Sequence, residues 1–201
     1  MAPFNLLHRV SADRSGVSLT EFGLIAPVLM TLLMGFADVG HTLYMQSVMQ
    51  GAVQSAARNA SLETGANTNT QSATDAEVTA QVKRLAQNAT VTITRTYFRD
   101  YTKAANPAKE PFTDTNGNGT CNAGEPYEDS NENGVWDIDN GRTGQGGAKD
   151  SVILNAKIVY PRLFPMARLV GLPADVTINA STVLINQPYG DQAAVTVRNC
   201  T

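Results

Sequence analysis

The sequence predicts an α+β protein. A long amino-terminal helix, its first half able to cross a membrane, leads into a small head in which a short helix lies on an antiparallel sheet carrying an acidic loop insert. Three observations carry this reading. The apolar residues concentrate in the first 60 positions and include a charge-free run from Phe22 to Ala37. Three later segments alternate apolar and polar residues at the period of a half-buried strand. Between the first two of them, residues 110–140 hold eight acidic residues and no basic one. A chain of 201 residues has room for one modest domain plus appendages. Only 16% of residues are charged and the net charge is −3, which argues against nucleic acid as a main partner, because phosphate binding needs a basic surface.

Arg9 and Arg14, with His8, precede the apolar run, and the sequence beyond it is neutral to acidic. The positive-inside bias then keeps the amino terminus in the cytoplasm and exports the rest. The uncharged run alone is short of the roughly 20 residues a spanning helix needs; Val17 to Thr20, ahead of Glu21, supply the missing length. "GFADVGHTLY" offers no clean A-x-A-like cleavage site, and helical character continues past it. Leu43, Tyr44, Ser47, Val48, Gly51, Ala52, Ser55 and Ala56 recur at helical spacing. One helix over 17–60 would be roughly 65 Å long at about 1.5 Å per residue. Its membrane half is 17–37, and the small residues of its second half permit close helix–helix approach. Pro27 should bend or loosen the apolar part.

A carboxylate at the edge of hydrocarbon is costly and wants a partner or a task. Glu21 has two readings. In one it merely marks the membrane boundary. In the other, a peptidase cuts between Gly16 and Val17, residues 1–16 are a leader, and Glu21 becomes the fifth mature residue. Its carboxylate then pairs with the new α-amino group of a neighbouring subunit, so the charge sets the register in which helices assemble.

The stretch "GVSLTEFGLIAPVLMTLLMGFADVGHTLY" resembles the TadE-like minor pilins, or pseudopilins, of tight-adherence (Flp-type) pilus systems. The residues that carry the resemblance are Gly16, Glu21–Phe22, Pro27, Asp38, Gly40, Tyr44 and Ala57–Arg58. It covers residues 14–60 and, more loosely, "INASTVLINQPYG" near the carboxyl end. The resemblance implies processing after Gly16 by a prepilin peptidase and insertion in the bacterial inner membrane with a periplasmic, pilin-like head. It also implies contacts with other pilin and minor pilin subunits and with the inner-membrane pilus assembly platform. The acidic insert is not part of the family pattern.

After the helix, residues 61–74 read as a polar linker, and the head is expected over 75–201. "DAEVTAQVKRLAQNA" has the pattern of an amphipathic helix, with Asp75 as N-cap and Val78, Val82 and Leu85 on one face. Val91, Ile93 and Tyr97 share a face of the first strand. Val152, Leu154, Ala156, Ile158 and Tyr160 do so in the second, and Val176, Ile178, Ala180 and Leu184 in the third. "RLFPMARLVGLPA", between the last two, is apolar for a loop; burial, membrane contact and subunit contact all remain open for it.

The insert, taken as 110–145, contains "DTNGNGTCNAGEPYEDSNENGVWDIDN". Numbered as a twelve-residue calcium loop from Asp114, it offers Asn116, Asn118, the Thr120 carbonyl, Asn122 and Glu125 at ligand positions, with Gly119 at the sharp turn. A second copy begins at Asp129 with Asn131, Asn133, Gly134, the Val135 carbonyl and Asp137. Its twelfth residue is Asn140, so the terminal carboxylate is missing; Asp139 is the substitute at hand, and the second site is expected to be weaker. The plain alternative is a solvated turn-rich loop, since Asn, Gly and Asp favour turns in any case. The duplicated D-x-N-x-N-G frame favours calcium, and magnesium fits less well because it takes fewer protein ligands. Flanking helices are not evident, so the expected role is a structural clip that neutralises carboxylates in a segment too polar to bury a core. Trp136, the single tryptophan, is expected to anchor the insert on the head. Cys121 and Cys200 either stay as free thiols or, in an exported domain, pair.

Catalysis is not expected. His8 and His41 lie in the leader and the helix, and no H-E-x-x-H or G-x-S-x-G pattern occurs. Two functions remain: a processed minor pilin that assembles with a pilus, its head stabilised by calcium, or a calcium-dependent surface adhesin held by an uncleaved signal anchor.

Overall fold

The computed structural model describes residues 16–62, 67–106, 108–164, 168, 171–187, 190–192 and 194–201. The α+β architecture is the predicted one. In chain order it comprises α1 (Val17–Ala60), α2 (Thr68–Leu85), β1 (Thr90–Phe98), α3 (Tyr101–Ala105), β2 (Pro126–Asp129), β3 (Arg142–Thr143), β4 (Ser151–Pro161), β5 (Asp175–Ile185) and β6 (Thr196–Asn199). The chain divides into two compact units, Met1–Leu43 with Arg162–Ala174, and Tyr44–Pro161 with Asp175–Thr201.

In the first unit, the apolar half of α1 has a window of mean hydropathy 1.9, none of it buried, long and apolar enough to cross a membrane. Leu19, Phe22, Leu24, Ile25 and Phe36 are all well exposed. Outward apolar residues all round a helix are what hydrocarbon solvates and water does not. Pro27 lies inside the helix and so removes the N–H that would have bonded the carbonyl four residues back. The Thr31 hydroxyl donates to the Pro27 carbonyl at 2.8 Å. The segment 162–174, whose place the sequence left open, groups with this half of α1. Arg162 ties it there: its Nη1 reaches the Asp38 carboxylate at 2.5 Å, and its Nε donates to the Pro173 carbonyl at 3.0 Å. Leu163 and Leu172 stay about half exposed.

In the second unit, β1, β3, β4 and β5 form an antiparallel sheet in the order β3-β1-β4-β5. Ile93 faces Ala156 across β1–β4, and Ala156 faces Ala180 across β4–β5. The inward residues expected on β4 and β5 are all buried, from Val152 to Tyr160 and from Val176 to Leu184. Val91, Ile93 and Tyr97 of β1 pack against the same core while partly exposed. Thr92, Thr94, Asn155, Lys157, Asn179 and Ser181 line the opposite, polar face, as the two-residue period requires.

Two helices cover the apolar face. From α1 these are Met45, Met49, Ala52, Val53, Ala56, Ala57 and Ala60, spaced by three and four as one helix face demands. Of the residues that recur at helical spacing, Ala52 and Ala56 lie on this buried face, while Leu43, Tyr44, Ser47, Gly51 and Ser55 are exposed. The second helix also differs. It starts at Thr68, its N-cap is Asn67, whose side chain accepts the Asn69 N–H, and Asp75 lies within it. Asp75 instead takes both terminal nitrogens of Arg95, at 2.9 and 2.5 Å. A polar stretch rich in Thr, Asn and Ser looks like linker by composition, yet an Asn cap and the core contact of Val78 and Val82 make it helical.

Candidate metal centre and assembly helix

The insert holds two loops of the same local geometry. In the first, Asp114 accepts the N–H groups of Gly117 at 2.6 Å and Gly119 at 2.7 Å, Asn116 accepts that of Asn118, and Asn118 that of Thr120. In the second, Asp129 accepts from Asn133 and Gly134, both at 3.0 Å, Asn131 from Asn133, and Asn133 from Val135. Gly119 and Gly134, the sixth residues of their loops, have φ of 75° and 79°, a left-handed backbone that glycine adopts without a Cβ penalty. Each short polar side chain thus bends the backbone two residues on, as Asx turns do.

The ninth and twelfth positions behave differently in the two loops. In the first, Asn122 Nδ2 donates to the Thr120 carbonyl at 2.8 Å and leans on Glu125 Oε2 at 3.4 Å. Glu125 is buried and accepts from the Thr115 N–H, the Thr115 hydroxyl and the Asn122 N–H. The Asn122 N–H first, then the Thr115 hydroxyl, hold its carboxyl at about 2. In the second loop, Asp137 Oδ2 accepts from Asn133 Nδ2 at 2.7 Å and from Asn131 Nδ2 at 3.2 Å. Asp139 is exposed, and its carboxylate accepts the Gly141 N–H at 2.9 Å. Arg198 donates to the Asp129 carboxylate.

The oxygen donors of the first loop, Asp114, Asn116, Asn118, the Thr120 carbonyl and Glu125, lie within one turn-rich loop and suit a hard, oxygen-seeking cation. Asn122 presents its amide nitrogen to two of them. Among the described residues no group of three or more His, Cys, Asp or Glu side chains is gathered as a metal cluster. The carboxylates of both loops are engaged with N–H groups, and most remaining candidate donors are amide and carbonyl oxygens.

Trp136 does not reach the head core. Its indole N–H donates to the Glu110 carbonyl at 2.9 Å, its ring stands edge-on to Phe112 at 5.1 Å, and Lys109 Nζ lies 5.5 Å above it. It therefore closes the insert on its own first residues. The insert joins the main sheet through β3, which pairs with β1, and the Gly144 N–H donates to the Arg95 carbonyl at 3.0 Å; its other side is held by the carboxyl terminus, which sequence periodicity did not single out. β6 pairs with β2, and Cys121 and Cys200 form a disulfide with a Cα–Cα distance of 6.0 Å. Hydrogen bonds from the Gly124 N–H to the Cys200 carbonyl and from the Cys200 N–H to the Glu125 carbonyl, both 2.9 Å, flank it. β6 is four residues long with every side chain exposed, so it has no apolar alternation to betray it.

At the amino end, Gly16 is the first described residue, and the expected leader otherwise lies outside the described residues. Val17 begins α1, the Thr20 N–H bonds the Gly16 carbonyl at 3.1 Å, and Glu21 is exposed on the first turns. The Gly16–Val17 bond is thus the junction between the helix and what precedes it, and Val17 and Glu21, four apart, share a helix face. No curated protein and no solved structure matches the chain. The helix does have a counterpart: residues 16–58, from the glycine at its head almost to its end, match the family model of TadE-like proteins, and it is this segment of the chain that is similar to that family.

Proposed function

We propose that the protein is a non-enzymatic, membrane-inserted minor pilin of a tight-adherence type pilus, processed between Gly16 and Val17, whose periplasmic head is ordered by calcium. The observation that carries this reading is the TadE-like helix, apolar and exposed around its first half, with Glu21 near its start. In lipid, a lone carboxylate is stabilised by pairing. Removal of residues 1–16 gives the neighbouring helix an α-amino group at Val17, and Glu21 joins it as the helices pack. The exposed small-residue stripe of Ser47, Gly51 and Ser55 lets that packing be close. The partners are other pilin subunits, the peptidase and the assembly platform.

Calcium enters through the first loop. Asp114, Asn116, Asn118, the Thr120 carbonyl and Glu125 hold the ion, and its charge offsets the mutual repulsion of the carboxylates. The second loop, with Asp129, Asn131, Asn133, the Val135 carbonyl and Asp137, forms a further site.

The test is the intact mass of the membrane form together with filament co-purification. Loss of residues 1–16 and recovery with filaments support the pilin. An intact amino terminus, or a chain that never accompanies filaments, refutes it in favour of an anchored surface protein. Glu21→Ala should insert normally and lose most of its incorporation into filaments; unchanged incorporation removes the pairing role.

A further inference from the structure

The second calcium loop lacks a carboxylate at its twelfth position, Asn140. The carboxylate is supplied from elsewhere in the insert. Residues 110–119, "EPFTDTNGNG", and 125–134, "EPYEDSNENG", are two copies of one unit, glutamate and proline included. Glu125 therefore has two identities: it ends the first loop and it opens the second copy. Glu110 opens the first copy and has no loop before it to close.

The structure pairs the copies antiparallel about a pseudo-two-fold axis. The Thr113 N–H donates to the Pro126 carbonyl and the Glu128 N–H to the Pro111 carbonyl, both at 2.8 Å, and Phe112 stands opposite Tyr127. Equivalent residues exchange equivalent bonds, and the exchange extends to the glutamates. The Glu125 N–H donates to the carbonyl of Asn122, ninth in the first loop, at 2.9 Å; the Glu110 N–H donates to that of Asp137, ninth in the second, at 3.1 Å. Glu125 Oε1 accepts the N–H of Thr115, second in the first loop, at 2.8 Å. Glu110 Oε1 accepts the N–H of Ser130, second in the second, at 2.7 Å. Glu110 occupies against the second loop the place that Glu125 occupies against the first.

We propose that Glu110 is the terminal calcium ligand of the second loop, so that the insert is a swapped pair of cation sites, each closed by the glutamate that opens the other copy. Glu110 is 1% exposed, and its Oε2 has no hydrogen-bond partner. A carboxylate oxygen buried without a donor is costly, and a divalent cation on the loop it faces removes that cost. Asn140 is also buried, at 2% exposed, with neither amide atom partnered, and brings one more neutral oxygen to the same loop end. Asp139, the nearest acid by count, has its carboxylate on Gly141 and its side chain in solvent. The two sites are not equal. Arg198 sits on the Asp129 carboxylate, whereas Asp114 accepts from its own loop backbone, so a cation entering the second site must displace a guanidinium and binds more weakly.

This inference rests on the calcium reading, and calcium titration of the full chain in detergent separates the two. Calorimetry counts the ions, and terbium luminescence sensitised by Trp136, the eighth residue of the second loop, reports that loop. The wild type should take two calcium ions. Asp114→Ala should keep one and retain the Trp136-sensitised signal. Glu110→Gln should also keep one but lose that signal, with affinity at the second site down at least about 100-fold, since even an outer-sphere partner is worth roughly 10- to 100-fold. Circular dichroism and the intact disulfide check folding. Glu110→Asp, which keeps the charge and shortens the reach, is the second variant and should weaken the same site at least about tenfold. No calcium bound by the wild type overturns both readings. Two ions bound with unchanged affinity in Glu110→Gln or Glu110→Asp, or a single ion that depends on Asp114 alone, overturns the role of Glu110 and leaves the first loop standing.

Discussion

The disulfide should dominate the stability of the head in chelator. Cys121 and Cys200 are 79 residues apart in sequence, and everything from the last third of the first Asp114–Glu125 loop to β6 lies in the closed loop. On the chain-entropy account, a cross-link over that length removes about 4.5 kcal/mol of unfolded-state freedom at 25 °C. The native side adds few compensating contacts: β6 is short and exposed, and its attachment is the ladder to β2, the Arg198–Asp129 ion pair and the two backbone bonds beside the sulfurs. Cys121→Ser with Cys200→Ser in the full chain, in detergent and chelator, should therefore lower Tm by roughly 9–18 °C, at about 2–4 °C per kcal/mol for a domain of this size. Thermal circular dichroism reads the shift, and limited proteolysis should reveal cleavage between residues 110 and 140 well below the main transition. A double variant melting within about 3 °C of the wild type, with the insert equally protected, would refute the reasoning: β6 and the insert would then be held by contacts other than the cross-link.

Asp75→Asn should cost about 3 kcal/mol, because it strands the Arg95 guanidinium, whose side chain is 8% exposed against 33% for Asp75. Thermal denaturation measures it, and pairing the change with Arg95→Met should recover most of the loss; no recovery would show that Asp75 acts otherwise. Gly141→Ala places a Cβ 2.8 Å from both Phe98 Cζ and Thr96 Cγ2, so it should destabilise the β1–β3 edge by about 1–3 kcal/mol, read by the same melt and absent if the edge is free to open. In chelator, Glu125 gives a pH dependence of known sign. Its folded carboxyl, near 2, lies below the ordinary value of 4.5, so its stabilisation is complete above pH 4.5 and is lost as pH falls toward 2. Protease protection of the insert followed from pH 6 to 2 should fall in that window in wild type, and Glu125→Gln should abolish the dependence there.

The apolar half of α1, the inward faces of β4 and β5 and the duplicated D-x-N-x-N-G frame were legible in the residues, because each depends on local periodicity. Apolar length suits hydrocarbon, two-residue alternation suits a covered sheet, and short polar side chains bend their own backbone. Other features turn on partners distant in sequence. The Met45–Ala60 face rather than its small-residue neighbour is buried because a sheet from residues 90–185 lies against it. Asp75 is not a cap because the helix begins earlier, at Thr68, and it is an ion-pair partner because Arg95 comes within reach. The strand at 196–199 exists because β2 offers it an edge.

The sequence by itself determined which segments are apolar, which alternate and which turn, for those are properties of a residue and its near neighbours. Only the tertiary structure decided which acid lies against the second loop and which cysteine is within reach of the first. Glu110 meets Ser130, and Cys121 meets Cys200, through the antiparallel pairing of two copies and the return of the carboxyl terminus. Juxtapositions of that kind are set by how the chain packs, and no spacing along it encodes them.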